Sequence, residues 1–300
     1  MPRLPNVLIA NNPEALQQKV NMDRSATVEA EFGEQVVKGT LKTLVHHGPR
    51  AGNPAPCLES NRFLDMQVIG VSHVDLDTIG GIMAITNQKP DDPESKKFWE
   101  AAAFVDVNGP HKIRELDPDS NIHDKLCAYW AFSQAQENRV FPPRDGSVAD
   151  ITDQVKAHVE AVHKIAANDP ELIQKGQEWF ESQQNLNAKS YVEHSDYVIF
   201  RESDQFANHL YETPDGDLCK AVVGFNPEKG RATLSLADPI EGVSCREIMQ
   251  EVFGPGAGGR DNIAGSPYDM EATREQVVAV FELAHNKIEA QIGPDVCPSW

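Results

Sequence analysis

The sequence contains few cysteines, and their spacing does not suit a structural scaffold. The five cysteines are scattered over 300 residues, are odd in number and include no Cys-x-x-Cys pair. This distribution disfavours a zinc knuckle and a disulfide framework alike. It is typical of a protein in a reducing compartment.

Long apolar runs and an excess of positive charge are also absent. No stretch approaches the roughly 18 consecutive apolar residues that a membrane-spanning helix needs. The N-terminal segment, MPRLPNVLIANNP, lacks a basic region followed by a long apolar one. The 46 acidic residues outnumber the 27 basic ones, so the net charge is −19. This charge argues against binding of long duplex nucleic acid through a broad basic surface, but it allows a small phosphate pocket. We expect a cytoplasmic protein without a membrane partner.

The hydrophobic content is high enough for folded domains. Hydrophobic residues form 40% of the chain and include four tryptophans and twelve phenylalanines. That content suffices for real cores and excludes an intrinsically disordered chain. Three hundred residues are long for one compact domain and comfortable for two.

The first part of the chain has the pattern of a parallel sheet covered by helices. Segments 26–32 and 36–46 alternate in polarity and are joined by Gly33-Glu34-Gln35, which predicts a hairpin. An apolar run over 66–74, an apolar helical segment and a second apolar run over 101–107 predict a strand–helix–strand unit. Three helices are predicted to follow, at 122–137, 151–167 and 170–184.

The second part of the chain has a different pattern of predicted elements. Short strands are predicted at 197–201, 220–225 and 231–236, separated by turns and followed by helices at 244–253 and 271–292. We therefore predict an α/β protein with two domains and a cleft between them. An N-terminal parallel-sheet domain covers residues 1–190, with a helical linker at about 150–190, and a smaller α+β domain covers 191–300.

A histidine and two aspartates follow the predicted strand at 66–74 in MQVIGVSHVDLDTIGG. Because side chains alternate along a strand, His73, Asp75 and Asp77 are expected on one face at its end. Carboxylates together with an imidazole suit Mn²⁺, Mg²⁺ or Zn²⁺. The alternative is a strand-to-helix turn in which Asp77 or Thr78 caps the next helix. Capping explains one of the three residues at most, so we favour a metal site.

A second polar cluster follows the predicted strand at 101–107. Asp106, Asn108 and His111 lie at its end, within VDVNGPHK. Functional residues in open α/β sheets gather at the carboxyl ends of parallel strands. We therefore expect this cluster to lie near the histidine and aspartates of the first motif.

The segment 254–267, GPGAGGRDNIAGSP, is rich in glycine and carries an arginine. The backbone N–H groups of Gly258 and Gly259 can approach an anion closely, because no side chain intervenes. Arg260 can bind a phosphate through two N–H groups, and Asn262 adds a neutral donor. The alternative is a flexible surface loop. The embedded arginine and asparagine favour phosphate binding.

The two motifs together carry a family resemblance. VSHVDLDTIGG resembles the first motif of the DHH phosphoesterase superfamily, in which an H-x-D-x-D-G pattern begins the metal site. GPGAGGRDNIAGSP resembles the GGGH-x-x-AAG signature of the smaller domain associated with that family. The segments SDQFANHL, VVGFNPEKGRATLSLAD and VSCREIMQEVFG resemble the same associated domain. The motifs occur in the family's order, and the resemblance covers most of residues 66–270.

The resemblance implies a two-domain α/β phosphoesterase with one or two Mn²⁺ or Mg²⁺ ions in the cleft. In the family, the second aspartate and the Asp-His-His motif end two successive strands, and this chain has no Asp-His-His. We expect His111 and the pair His46-His47 to supply the missing imidazoles. The expected metal ligands are His46, His47, His73, Asp75, Asp77, Asp106 and His111, and the aspartates and His111 are also the expected catalytic residues.

The same resemblance implies how a substrate phosphate is held. Gly258, Gly259, Arg260 and Asn262 would bind it from the second domain, and Arg50 would add a contact from the first. Arg260 replaces the histidine of the family signature, which keeps phosphate affinity but removes a proton donor.

Two hypotheses follow for the function. The first is a metal-dependent phosphoesterase that hydrolyses a small phosphorylated substrate: a nucleotide, a short oligonucleotide or a cyclic dinucleotide. The second is a catalytically inactive nucleotide- or phosphate-binding protein on the same scaffold, which the missing Asp-His-His favours. A homodimer stays open in both cases.

Overall fold

The computed structural model describes residues 4–21, 24–47, 50, 52–116 and 120–293. Backbone contacts divide the chain into two compact units. The N-terminal unit consists of Met1–Val107 and Lys112–Phe180, and the C-terminal unit consists of Asn108–His111 and Glu181–Trp300. Each unit combines a β-sheet with helices, so the predicted mixed α/β architecture is confirmed.

The N-terminal unit is built on a five-stranded, mostly parallel sheet. Its strands are β1 (Asn6–Ile9), β2 (Ser25–Val28), β3 (Glu31–Phe32), β4 (Gln35–Val36), β5 (Lys42–Leu44), β6 (Val68–Val71) and β7 (Ala149–Asp150). The sheet order is β5-β2-β6-β1-β7, in which β7 is antiparallel to β1 and the other pairs are parallel. All residues of β2 and β6 are buried, as expected for parallel strands covered on both faces.

The helices of this unit are α1 (Pro13–Val20), α2 (Leu76–Ile85), α3 (Pro93–Asn108), α4 (Asn121–Gln134) and α5 (Thr152–Ala166). Helix α6 (Pro170–Ser190) begins in the N-terminal unit and ends in the C-terminal unit. Together α2, α3, α4 and α5 supply most of the apolar side chains that pack against the sheet.

The predicted hairpin over 26–46 is wrong in its main pairing. Strand β2 pairs with β5 in parallel, with Ala26 opposite Lys42 and Val28 opposite Leu44. The short hairpin of β3 and β4 lies in the crossover between these two strands and turns at Gly33, whose φ is 62°. The parallel pairing places the ends of β2 and β5 at the same edge of the sheet.

The predicted strand at 101–107 is also wrong, because these residues belong to α3. The run AAAFVDV is short and apolar, as a buried strand is, but its alanines favour a helix. Phe98, Ala102 and Val105 are buried at helical spacing along α3. Asp106 therefore lies in the last turn of a helix and not at the end of a strand.

Helix α2 begins within the histidine–aspartate motif. The Asp75 carboxylate caps the helix and accepts a hydrogen bond from the Thr78 backbone N–H at 2.8 Å. Asp77 lies in the first helical turn. His73, Asp75 and Asp77 therefore do not share one strand face as predicted, and the cap is neither Asp77 nor Thr78.

The glycine pair of α2 permits unusually close packing. A Cβ atom at Gly80 would lie 2.5 Å from the Cys57 Cβ, and one at Gly81 would lie 2.7 Å from the Val28 Cγ1. The helix therefore packs directly on β2 and on the 3₁₀ turn Pro56–Leu58. This contact brings the Cys57 backbone N–H to 2.7 Å from the Asp77 Oδ1, to which it donates a hydrogen bond.

The C-terminal unit contains a six-stranded sheet. Its strands are β8 (Tyr191–His194), β9 (Val198–Glu202), β10 (Ala221–Asn226), β11 (Arg231–Leu236), β12 (Gly258–Gly259) and β13 (Ile263–Gly265), in the order β12-β13-β11-β10-β9-β8. Strands β9 and β10 are parallel, and the other pairs are antiparallel. Helices α7 (Cys245–Phe253) and α8 (Arg274–Ile292) bury their apolar faces in the core of this sheet.

The glycine-rich segment 254–267 forms the edge of this sheet. Gly258 pairs with Gly265, and Gly259 pairs with Ala264. Gly259 has a φ of 141°, and a Cβ atom there would lie 2.4 Å from the Ala264 Cα. Only glycine fits at this position. The pairing shows that part of the predicted phosphate-binding segment is a β-hairpin.

In the part of the chain that the structure describes, no helix combines the length and apolar character needed to traverse a bilayer.

Candidate metal centre

Three neighbouring parallel strands bring polar side chains to one edge of the N-terminal sheet. Glu29 follows β2, His46 and His47 follow β5, and His73 follows β6. These strands are adjacent in the order β5-β2-β6, so their carboxyl ends meet. Helices α2 and α3 add further carboxylates there. This is the edge at which open parallel sheets place their sites.

His46 lies at the centre of one group of carboxylates. Its Nε2 is 3.1 Å from the Asp77 Oδ2 and 3.2 Å from the Asp106 Oδ2. The Glu29 Oε1 is 3.4 Å from the same nitrogen. One imidazole nitrogen offers a single proton or a single lone pair, so it cannot bond to three carboxylates at once.

Glu29 connects this group to a second one. Its Oε2 lies 2.8 Å from the His47 Nε2 and 3.5 Å from the His73 Nε2. The His73 Nε2 is in turn 3.1 Å from the Asp75 Oδ2. The Glu29 side chain is fully buried, whereas His73 and Asp75 are about 40% exposed (42% and 37%). The centre is therefore closed around Glu29 and open on the side of His73 and Asp75.

The backbone of Glu29 is held in a conformation that is rare for a residue other than glycine. Its φ is 53°, in the left-handed region. The Glu29 N–H donates to the Leu44 carbonyl at 2.9 Å, and the Glu29 carbonyl accepts a hydrogen bond from the Ser72 hydroxyl. These bonds tie Glu29 to the ends of both neighbouring strands. Such strain, which costs about 1–3 kcal/mol, concentrates at functional sites.

The donor atoms fit divalent cations. They form three overlapping groups, and within each group the ligand atoms lie within 4.8 Å of one another. The groups are Glu29, His46 and His47; Glu29, His73 and Asp75; and His46, Asp77 and Asp106. Four carboxylates carry a formal charge of −4, which two divalent cations would balance. Oxygen and imidazole ligands suit Mn²⁺, Mg²⁺ or Zn²⁺.

Buried atoms without hydrogen bonds support the same interpretation. Both carboxylate oxygens of Glu29, the His46 Nε2, the Asp77 Oδ2 and the Asp106 Oδ2 are buried and have no hydrogen-bond partner among the described residues. Although these atoms approach one another, their directions do not satisfy hydrogen-bond geometry. Leaving such groups unsatisfied is costly, and a shared cation would satisfy them together.

Without a cation, the imidazoles compensate the carboxylates by holding protons. Burial disfavours the charged form of His46, but Asp106, Asp77 and Glu29 outweigh it and raise the His46 pKa to about 10. Burial likewise opposes protonation of His73, yet Asp75 and Glu29 raise its pKa to about 10.

The remaining groups shift in ways that follow from their neighbours. Glu29 raises the pKa of His47. Burial alone would raise the pKa of Glu29, but the neighbouring imidazoles of His47 and His73 bring it below the ordinary value. Burial raises the pKa of Asp77 above its usual range. A cation that displaced these protons would therefore bind more tightly as the pH rises.

Two of the predicted residues are not members of these groups. His111 belongs to the 3₁₀ helix Pro110–Glu115 and to the C-terminal unit, where its ring lies 4.8 Å from the ring of Tyr211. It is a member of none of the three groups that the described residues form. Arg50 lies beside Glu31, with its Nη1 3.6 Å from the Glu31 Oε1. The structure thus gives Arg50 a protein partner, and its contact with substrate stays a prediction.

The residues predicted to bind phosphate lie in the C-terminal unit. Gly258, Gly259, Arg260 and Asn262 are all exposed, on and beside the β12–β13 hairpin. Arg260 and Asn262 line a cavity of about 570 Å³. Ser244, Glu247 and Asp261 lie on the polar part of its wall, and Ile240 and Val243 on its apolar part. The cavity therefore combines one guanidinium with two carboxylates.

Sequence reasoning missed Glu29. It lies in VEAEFGEQ among three glutamates that resemble a solvated polar stretch. The feature of the sequence that could have identified Glu29 is its position, since it directly follows the buried strand SATV. Had the parallel pairing of β2 and β6 been known, the end of β2 would have been an obvious place to search.

Comparison with known proteins adds no family. No protein-family model matches the chain, and no curated protein matches it. Among solved structures, an uncharacterized protein from Helicobacter pylori G27 aligns at 12% identity over 93% of this chain and 86% of its own, with a TM-score of 0.20. A likeness at that level carries no argument about fold or function.

Proposed function

We propose that the protein is a metal-dependent phosphoesterase with two divalent cations, Mn²⁺ or Mg²⁺, at the carboxyl edge of its N-terminal sheet. The observation that carries this proposal is the convergence of four carboxylates and three imidazoles in overlapping groups. The two ligand sets are Glu29, His73 and Asp75, and His46, Asp77 and Asp106. Glu29 is proposed to serve the second set as well, through its Oε1, which lies 3.4 Å from the His46 Nε2. His47 completes the surroundings of the glutamate that connects them.

The adjacency of the three strand ends supports the resemblance to the DHH phosphoesterases, whereas the order of these strands along the chain differs from the family's pattern. In that family, an aspartate and the Asp-His-His motif end two successive strands. Here Glu29 and the pair His46-His47 end β2 and β5, which pair in parallel beside the strand of the HVDLD motif. Both strands precede that motif along the chain. The missing elements therefore have counterparts upstream of the first motif, with glutamate in place of aspartate.

The chemistry divides between the ions and the protein. When bound, the cations lower the pKa of a bound water and stabilise charge on the phosphoryl oxygens. Glu29, His46 and Asp77 hold the buried side of the centre, where their side chains are at most 2% exposed. The partly exposed His73 and Asp75 border the side from which water and a phosphate can enter.

The substrate is proposed to be small. A nucleotide, a short oligonucleotide or a cyclic dinucleotide suits a chain with a net charge of −19 better than long duplex nucleic acid does. Arg260 and Asn262, on the wall of the C-terminal cavity, are proposed to bind its phosphate together with Gly258 and Gly259, which precede them in the β12–β13 hairpin. The proposal includes a two-domain arrangement with the substrate in a cleft, and a cytoplasmic location.

Hydrolysis by matched variants tests this function. Wild-type protein with Mn²⁺ should hydrolyse bis-(p-nitrophenyl) phosphate or a dinucleotide, and a chelator should stop the reaction. Asp77→Asn should lower the rate at least about 100-fold, because it removes a ligand charge from the centre. Asp153→Asn is the control, since the Asp153 side chain is exposed and forms an ion pair with Lys156.

Three results are informative. Turnover that needs Mn²⁺ and Asp77 but not Asp153 supports a phosphoesterase. Tight Mn²⁺ binding without turnover of any phosphoester supports the second candidate, an inactive nucleotide- or phosphate-binding protein, which the replacement of the signature histidine by Arg260 favours. Turnover that Asp77→Asn leaves unchanged would contradict both the centre and its role.

A further inference from the structure

Glu31 contacts the segment that carries two of the imidazoles. Its Oε2 accepts hydrogen bonds from the backbone N–H of His46 at 3.2 Å and of His47 at 3.1 Å. The Glu31 side chain is only 7% exposed. His46 and His47 follow the end of β5, so strand pairing does not engage these two N–H groups.

The convergence of two successive N–H groups on one oxygen has a geometric consequence. In an extended chain, neighbouring side chains point in opposite directions. His46 and His47 instead both approach Glu29, with nitrogen-to-oxygen distances of 3.4 Å and 2.8 Å. Their ring centroids are 4.2 Å apart. The chain bends at His47, and an anion that accepts both N–H groups stabilises such a bend.

We infer that Glu31 is a positioning residue of the metal centre, whose carboxylate fixes the His46-His47 backbone so that both imidazoles face Glu29. The inference rests on the proposed metal centre. Glu31 belongs to none of the three ligand groups, so it acts through the backbone and not as a ligand.

Arg50 forms an ion pair with the carboxylate oxygen of Glu31 that does not accept from His46 and His47. Its Nη1 lies 3.6 Å from the Glu31 Oε1, and its Nη2 donates to the Glu34 carbonyl at 2.9 Å. The guanidinium thus joins the carboxylate to the β3–β4 hairpin that carries it. Groups of this kind, which orient metal ligands without touching the metal, typically change metal affinity about 10- to 100-fold when they are removed.

Two variants of equal size separate the hydrogen bonds from packing. Glu31→Gln keeps an oxygen that can accept both N–H groups, whereas Glu31→Met fills the same space without an acceptor. We expect Glu31→Met to weaken Co²⁺ binding about 10- to 100-fold and to alter the Co²⁺ absorption spectrum. Glu31→Gln should restore most of the affinity and the wild-type spectrum. Glu34→Gln, in the same hairpin but exposed, is the control.

The outcomes separate this inference from the proposed function. If wild-type protein binds no Co²⁺ or Mn²⁺, the metal centre itself is refuted. If wild type binds Co²⁺ and Glu31→Met binds it equally well with the same spectrum, the positioning role is refuted and the centre stands. Equal losses in the Gln and Met variants would also refute it, because charge and not the N–H acceptor would then matter.

A third variant keeps the test decisive if Glu31→Met does not fold. Glu31→Asp retains the charge but withdraws the oxygens by one methylene from the His46 and His47 N–H groups. We expect a loss of Co²⁺ affinity of at least about 10-fold. Unchanged affinity and an unchanged spectrum would overturn the inference.

Discussion

Replacing Glu29 by glutamine should disable both cation sites at once. Glu29 belongs to two of the three ligand groups, and its oxygens lie within 3.5 Å of three imidazole nitrogens. The amide has nearly the same size, so the core around it stays filled. What changes is one negative charge and one anionic oxygen at the centre of the cluster.

The expected loss can be estimated from linkage between binding and folding. A cation present at 100 times its Kd stabilises the folded state by about 2.7 kcal/mol. If Glu29→Gln raises that Kd about 100-fold, the same concentration equals the new Kd and stabilises by only about 0.4 kcal/mol. The difference of about 2.3 kcal/mol corresponds to about 5–9 °C in Tm for a domain of roughly 150–250 residues.

Thermal unfolding with and without Mn²⁺ measures this difference. Each variant is compared with its own metal-free form, so any change in the stability of the metal-free protein cancels. Wild type and the exposed control Glu34→Gln should show the full Mn²⁺-dependent rise in Tm, and Glu29→Gln should lose nearly all of it. If Glu29→Gln keeps the wild-type rise, Glu29 is not a ligand and the proposed sharing of one carboxylate between two sites is wrong.

Further predictions concern protons, phosphate and packing. Metal affinity should increase from neutral pH toward about 10, because His46 and His73, whose pKa is raised to about 10, must lose protons; calorimetry in buffers of different ionisation enthalpy counts the protons released, and an affinity independent of pH would contradict the assignment. Without metal, the free energy of unfolding should fall as the pH rises. The stability that comes from the raised pKa values of His46 and His73 is fully present below the ordinary imidazole pKa and is lost as the pH rises through about 10; urea unfolding in the presence of a chelator measures this loss. Arg260→Ala should raise KM for a phosphoester substrate and leave Mn²⁺ binding unchanged, and a loss of bound metal would argue against its assignment to substrate. Gly80→Ala, whose new methyl would lie 2.5 Å from the Cys57 Cβ, should destabilise the protein by about 1–3 kcal/mol in denaturant unfolding, and a neutral result would mean that α2 can shift.

Part of the site was readable from sequence because its residues are close along the chain. His73, Asp75 and Asp77 form one visible motif, and His46-His47 is an adjacent pair. The structure brings all five to one edge of the sheet. The secondary structure that carries the three motif residues could not be predicted. A strand would place them on one face, whereas in the structure Asp75 caps helix α2 and Asp77 lies in its first turn.

Other parts depended on pairing between distant segments. Asp106 was proposed as the end of a strand, but it reaches the centre from the last turn of α3. The only local signal of Glu29 is its position after the buried strand SATV, and it gains its role only when β2 pairs with β5 and β6. His111 looked equivalent to the other histidines, yet its ring packs near Tyr211 in the C-terminal unit. Strand pairing over tens of residues decides the placement of Glu29, and local composition does not encode that pairing.

Anomalous diffraction from crystals grown with Mn²⁺ tests the metal centre most directly. Two peaks are predicted in each chain, one against Glu29, His73 and Asp75 and the other against His46, Asp77 and Asp106. The same protein should contain two Mn²⁺ per chain by elemental analysis. Saturating Mn²⁺ with no peak at these side chains, or with peaks only elsewhere, would contradict the account.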